Sequence, residues 1–161
     1  MNDGMDMAMG RDLALLLPEI VAALTGVLAL VSGMIRRPRW ALPIVVAGLL
    51  LATALTVPLI GAETTIFMGT FRVDDLAVWA KLVLLPATVL SAVLADAEVR
   101  GTDREATVYS LLAFVTVGAL ALAGAGDVMF LVLGVLLSSL GTFALVAYPR
   151  DDRATEASMK Y

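Results

Sequence analysis

The sequence contains neither cysteine nor histidine. Without thiolate or imidazole donors the chain cannot form disulfides, hold an iron–sulfur cluster, ligate haem through histidine, or build most zinc and copper sites. Any redox centre it works with is therefore expected on another chain. Charge is also scarce: only 16% of residues are Asp, Glu, Lys or Arg, with 11 cations against 15 acids and a formal net charge of −4. The cations fall in small groups and form no basic stripe, so nucleic acid is excluded as a partner. What remains is apolar. The hydrophobic share is 60% before 13 glycines are counted, against roughly 45–50% for globular proteins with glycine included. Mean hydropathy is +0.93. Several apolar runs approach twenty residues, so the chain reads as an all-α polytopic membrane protein whose solvent is the lipid bilayer.

Hydropathy predicts five spans, at about Leu13–Ile35, Ala41–Gly61, Leu76–Ala95, Thr107–Gly124 and Val128–Tyr148. Each is long enough for a hydrocarbon core of about 30 Å at about 1.5 Å per helical residue. This gives an extracytoplasmic N-terminal segment (residues 1–12), a five-helix transmembrane domain (13–148) and a cytoplasmic tail (149–161). The first residues carry Asp3, Asp6 and Asp12 against Arg11, unlike the positive n-region of a cleaved signal peptide, so the first span is expected to stay as an anchor. Arg36, Arg37 and Arg39 follow helix one, Arg100 and Arg104 follow helix three, and Arg150, Arg153 and Lys160 follow helix five. The opposite ends hold only Arg11 and Arg72. By the positive-inside rule the N-terminus is outside and the C-terminus cytoplasmic, in a bacterial-type inner membrane.

Between helices two and three, Thr64 to Val73 forms two β-prone runs broken at Gly69, which predicts a small extracytoplasmic hairpin. Helices four and five are separated only by Gly124-Ala125-Gly126-Asp127. They must be antiparallel neighbours, with Asp127 capping helix five. In lipid, helices associate through close packing at small residues. Gly48, Ala52 and Thr56 line one face of helix two; Gly134, Ser138 and Thr142 do so on helix five, near Gly141; helix four carries Gly118, Ala119, Ala121, Ala123 and Gly124. These faces either pack the chain's own bundle or dock onto a larger partner. Pro18, Pro43, Pro58 and Pro86 sit in or at the ends of spans, where membrane helices tolerate them.

Ionisable residues inside a bilayer are expensive and point to function. Glu19 and Lys81 each lie about two turns from the extracytoplasmic side. Glu19 reads first as an interfacial carboxylate and next as a structural contact to a partner. Lys81 is either a snorkelling anchor or a buried pair or proton-relay member, and Asp74 and Asp75 are loop or cap residues. Helices four and five carry no charged residue between Tyr109 and Asp127 or between Val128 and Tyr148. A proton route needs titratable or hydrated groups across the membrane, which this chain lacks alone.

The run Leu131-Val132-Leu133-Gly134, Ser139-Leu140, and Tyr148-Pro149-Arg150 through Tyr161 resembles subunit N of NADH–quinone oxidoreductase, respiratory complex I. Leu17-Pro18-Glu19-Ile20 is similar to that family's first helix, and Gly69-Thr70-Phe71-Arg72-Val73-Asp74 followed by Lys81 to its hairpin entering helix three. The resemblance covers about Leu13–Tyr161. It implies part of an antiporter-like subunit of about fourteen helices, in which inverted five-helix repeats carry proton-channel residues. Two departures stand out. The family's helix-five glutamate, two residues after the glycine matched by Gly134, falls on Leu136, and the sequence stops at Lys160-Tyr161, where a sixth helix should begin. A leucine cannot hold a charge. The expected function is therefore a structural, non-pumping component of a complex-I-type or related energy-converting assembly. Other membrane subunits would be its partners, and quinone and redox centres would lie on those partner chains. Alternatives are the N-terminal half of a split, proton-translocating subunit N, or an independent small transporter. The tail, Arg150 to Tyr161, reads as a cytoplasmic surface helix or turn, or a docking element for a peripheral arm.

Overall fold

The computed structural model describes residues 10, 12–35, 38–66, 69–102 and 104–147. The terminal tail, the acids before Gly10 and the Arg36-Arg37 pair lie outside the described residues. Among the described residues five helices are long and apolar enough to cross a membrane: α1 (Leu17–Met34), α2 (Ala41–Thr56), α3 (Asp75–Val99), α4 (Glu105–Ala123) and α5 (Val128–Val146). Strands β1 (Thr64–Ile66) and β2 (Phe71–Val73) lie between α2 and α3.

Each boundary has a local cause. Residues 12–15 are helical, but the chain turns at Leu16, so the first span is not the continuous Leu13–Ile35 that hydropathy suggests. Pro18 has no N–H to donate to the preceding turn and suits the opening turn of a new helix. Pro58 acts similarly at the end of α2, which tightens into a 3₁₀ turn at Val57–Leu59. The Asp74 carboxylate accepts from the Ala77 N–H at 2.8 Å to cap α3, and Asp127 accepts from the Phe130 N–H at 2.7 Å to cap α5. Helix α3 runs past Ala95 to Val99; it ends before Gly101, whose φ of +82° is left-handed and open mainly to glycine.

Helix α4 is the hub. It packs against α1, α3 and α5 and more lightly against α2, while α1–α2 and α2–α3 pack as chain neighbours. Within the molecule 44% of its span is buried, against 11% for α5, which packs chiefly on α4. Small residues make these contacts close. A Cβ on Gly118 would lie 2.5 Å from the Ser138 backbone nitrogen and 3.0 Å from the Gly134 carbonyl. A Cβ on Gly134 would lie 3.0 Å from the Leu122 nitrogen. On α2, Gly48 faces Thr25 of α1, and Ala52 and Thr56 are fully buried. Thr142 is half-buried and donates its hydroxyl proton back to the Ser138 carbonyl. The small faces at Gly48, Gly118 and Gly134 thus meet other helices of this chain.

Hydrogen bonds cross the same seams. The Ser110 hydroxyl donates to the Gly26 carbonyl at 2.8 Å, Thr116 meets Thr88 at 3.0 Å, and Tyr109 donates to Asp96 at 2.9 Å. In a membrane such bonds average about 0.6 kcal/mol and reach about 1.7 kcal/mol, so they tune the packing set by the small residues.

Candidate functional site

The β-hairpin pairs Thr64 with Val73, Thr65 with Arg72 and Ile66 with Phe71. Alternation along β2 exposes Arg72 and buries Phe71 and Val73. The hairpin is also stitched to the α4–α5 turn: the Arg72 N–H donates to the Gly124 carbonyl at 2.8 Å, and the Gly126 N–H to the Thr70 carbonyl at 2.9 Å. Both glycines are required by proximity. A Cβ on Gly124 would run into the Phe71 ring, and one on Gly126 into the Gly69 carbonyl. The short turn between α4 and α5 is thus a seat for β2.

Beneath it lies the one buried ion pair found among the described residues. Lys81, in the second turn of α3, is fully buried, and its Nζ stands 2.5 Å from Oε1 of Glu19 in the first turn of α1, a side chain only 12% exposed. Helices α1 and α3 share little other packing, so the pair joins elements that otherwise meet through α2 and α4. The Lys81 ammonium also sits 4.9 Å from the centre of the Phe71 ring, a cation–π contact worth about 2 kcal/mol when desolvated. Phe130 at the start of α5 meets Phe71 edge to face, with centroids 5.5 Å apart. Ile66, Val73 and Val78 complete the apolar cluster.

The sequence left Lys81 open between a snorkelling anchor and a buried pair or relay member; the structure gives the buried pair, and Glu19, read first as an interfacial carboxylate, turns inward as its partner. The pair is otherwise bare: Lys81 Nζ and both Glu19 oxygens are buried without a conventional hydrogen bond. The first turn of α1 supplies a positive dipole end near the carboxylate.

At the opposite end, Asp96 of α3 receives the Tyr109 hydroxyl proton and lies 3.7 Å from Arg100. Buried Glu105 accepts from the Gly101 N–H at 3.0 Å. Sequence reading passed over Asp96, Glu105 and Phe71 as site residues. Asp96 and Tyr109 flank the Gly101 turn almost symmetrically, which was the available signal. Among the described residues no three acidic side chains converge as a metal site would require.

Leu136 lies on the outer side of α5, 52% exposed. Gly134, two positions earlier, faces α4, and a two-residue step turns a helix by about 200°. Leu136 therefore looks away from the bundle and from Lys81.

No family model matches the chain. Curated relatives do. NADH-quinone oxidoreductase subunit N of Desulfovibrio desulfuricans is 38% identical over 159 residues, covering 93% of this chain and 31% of the relative. The chain is a homologue of subunit N. The Mycobacterium sp. subunit N is 34% identical over 150 residues, covering 91% of this chain and 32% of its own. The F(420)H(2) dehydrogenase subunit N of Methanosarcina mazei is 30% identical over 163 residues, covering 94% and 33%. The chain thus spans about a third of the length of the subunit N relatives it matches.

Proposed function

We propose that this subunit N homologue is a membrane scaffold in a complex-I-type or related energy-converting assembly, and that it does not itself carry protons. The reading rests on one observation: Lys81, the buried cation, is committed to Glu19. A relay group must alternate between partners, and no second titratable side chain is within hydrogen-bonding reach of Lys81 among the described residues. Helix α5 has no ionisable residue between Val128 and Val146, and Leu136 looks outward. The matched relatives are named for NADH–quinone and F(420)H(2) dehydrogenases; in such an assembly electron donor, redox centres and quinone would be held by other chains.

In this reading the N-terminus and hairpin are extracytoplasmic and the C-terminus cytoplasmic. Residues 1–12 and 149–161 flank the membrane domain 13–148, and Arg39, Arg100 and Arg104 lie at the cytoplasmic end. Purification of a tagged chain in mild detergent should recover a much larger complex with redox subunits. A monodisperse small homo-oligomer would refute the assignment.

A second reading is favoured by the relatives' length, about three times the matched region. The chain would be one part of a split subunit N, completed by a separate polypeptide. Recovery of a partner matching the remaining two thirds of subunit N, with proton translocation only when both are present, would select this reading over the scaffold.

A further inference from the structure

An ammonium has three N–H donors and a carboxylate about four acceptor positions. Among the described residues no protein donor or acceptor meets Lys81 Nζ, Glu19 Oε1 or Glu19 Oε2 beyond the contact within the pair, although all three atoms are buried. Buried polar atoms with unfilled positions are sites that water enters when it can reach them. On the hairpin side what stands over Nζ is the Phe71 ring, itself 1% exposed. The ring is held from three directions: by its strand pairing, by the edge contact to Phe130, and by the bare backbone of Gly124. A face of carbon satisfies the cation's charge but offers Glu19 nothing, so the ring excludes water without replacing it.

We propose that Lys81 and Glu19 form a hydration site stoppered by Phe71. With the ring seated, the pair is dry. With the ring displaced, water fills the remaining donor and acceptor positions and the pair loosens. The Gly124 position sets the stopper, because any side chain there would push against the ring.

The test uses the full chain in lipid vesicles with a water-soluble, impermeant amine reagent on both faces. Modification of Lys81 is read by peptide mass spectrometry against an added peptide amine. Lys81 should react about 100-fold more slowly than that standard, and Phe71→Ala and Gly124→Val should each raise its rate about tenfold or more. The first removes the ring and the second displaces it intact, so agreement does not depend on one variant folding well. A thiol at Ala106→Cys, buried at the opposite end and unique because the chain has no cysteine, should stay as shielded in the Phe71→Ala background as without it. Three results would overturn the proposal. They are a wild-type Lys81 that reacts near the standard rate, a rate unchanged in both variants, or a rise matched by exposure of the thiol at position 106, which would make Phe71 an ordinary core residue.

Discussion

Replacing Lys81 by Met leaves the Glu19 carboxylate buried and alone. At 2.5 Å the lost attraction is about 7 kcal/mol for an effective dielectric constant of about 20. Burying two ions costs several kcal/mol each, so the pair's net contribution is near zero even though each half depends on the other. Lys81→Met or Glu19→Gln alone should therefore destabilise the fold, by about 3–5 kcal/mol for an uncompensated charge. Lys81→Met should sit at the upper end, because it leaves the Glu19 carboxylate with no partner, whereas in Glu19→Gln the cation keeps its contact with the Phe71 ring. The double variant Glu19→Leu/Lys81→Met should recover most of that loss, within about 1–2 kcal/mol of wild type. Denaturant titration of the purified protein, followed by the fluorescence of Trp40 and Trp79, measures all of these stabilities. Single variants that each cost under about 1 kcal/mol, with a double variant equal to their sum, would show a pair that water already screens. The geometric account of the site would then fail.

Other outcomes follow from the packing. Gly118→Val places carbon against the Ser138 backbone, which cannot swing aside as a side chain could; a loss of about 1–3 kcal/mol or more is expected by thermal unfolding, with α5 displaced. Leu136→Ala, on the open face of α5, should cost under about 1 kcal/mol, whereas Leu120→Ala, fully buried in α4, should cost about 2–5 kcal/mol. Similar losses at both positions would mean that α5 is seated differently. Asp74→Ala and Asp127→Ala should each cost about 1 kcal/mol through their lost caps, with Asn restoring most of it.

Much of the fold was legible because hydropathy and small-residue spacing report directly on the bilayer. The five helices, the hairpin broken at Gly69 and the caps at Asp74 and Asp127 all follow from local chemistry. Helix ends were less legible where the bilayer and the helix end at different places. Asp96 and Glu98 leave the apolar run while α3 continues to Val99, and Pro18 breaks the chain inside an unbroken apolar stretch. The site was half legible. Glu19 and Lys81 could be assigned the same depth from their distance to the span ends, but hydropathy carries no information on which way a side chain turns about its helix axis. That angle is set by how α1 and α3 pack around α4. It also decides that Gly134 faces inward and Leu136 outward. Phe71 looked like one more β-prone residue because its role comes from the bare turn at Gly124, more than fifty positions away.

The most direct test of the scaffold reading is proton flux through the chain alone. Purified protein reconstituted in liposomes with a pH-sensitive dye, under an imposed membrane potential, should pass protons no faster than protein-free vesicles. Flux well above that background, abolished by Lys81→Met, would contradict it and make Lys81 a working relay.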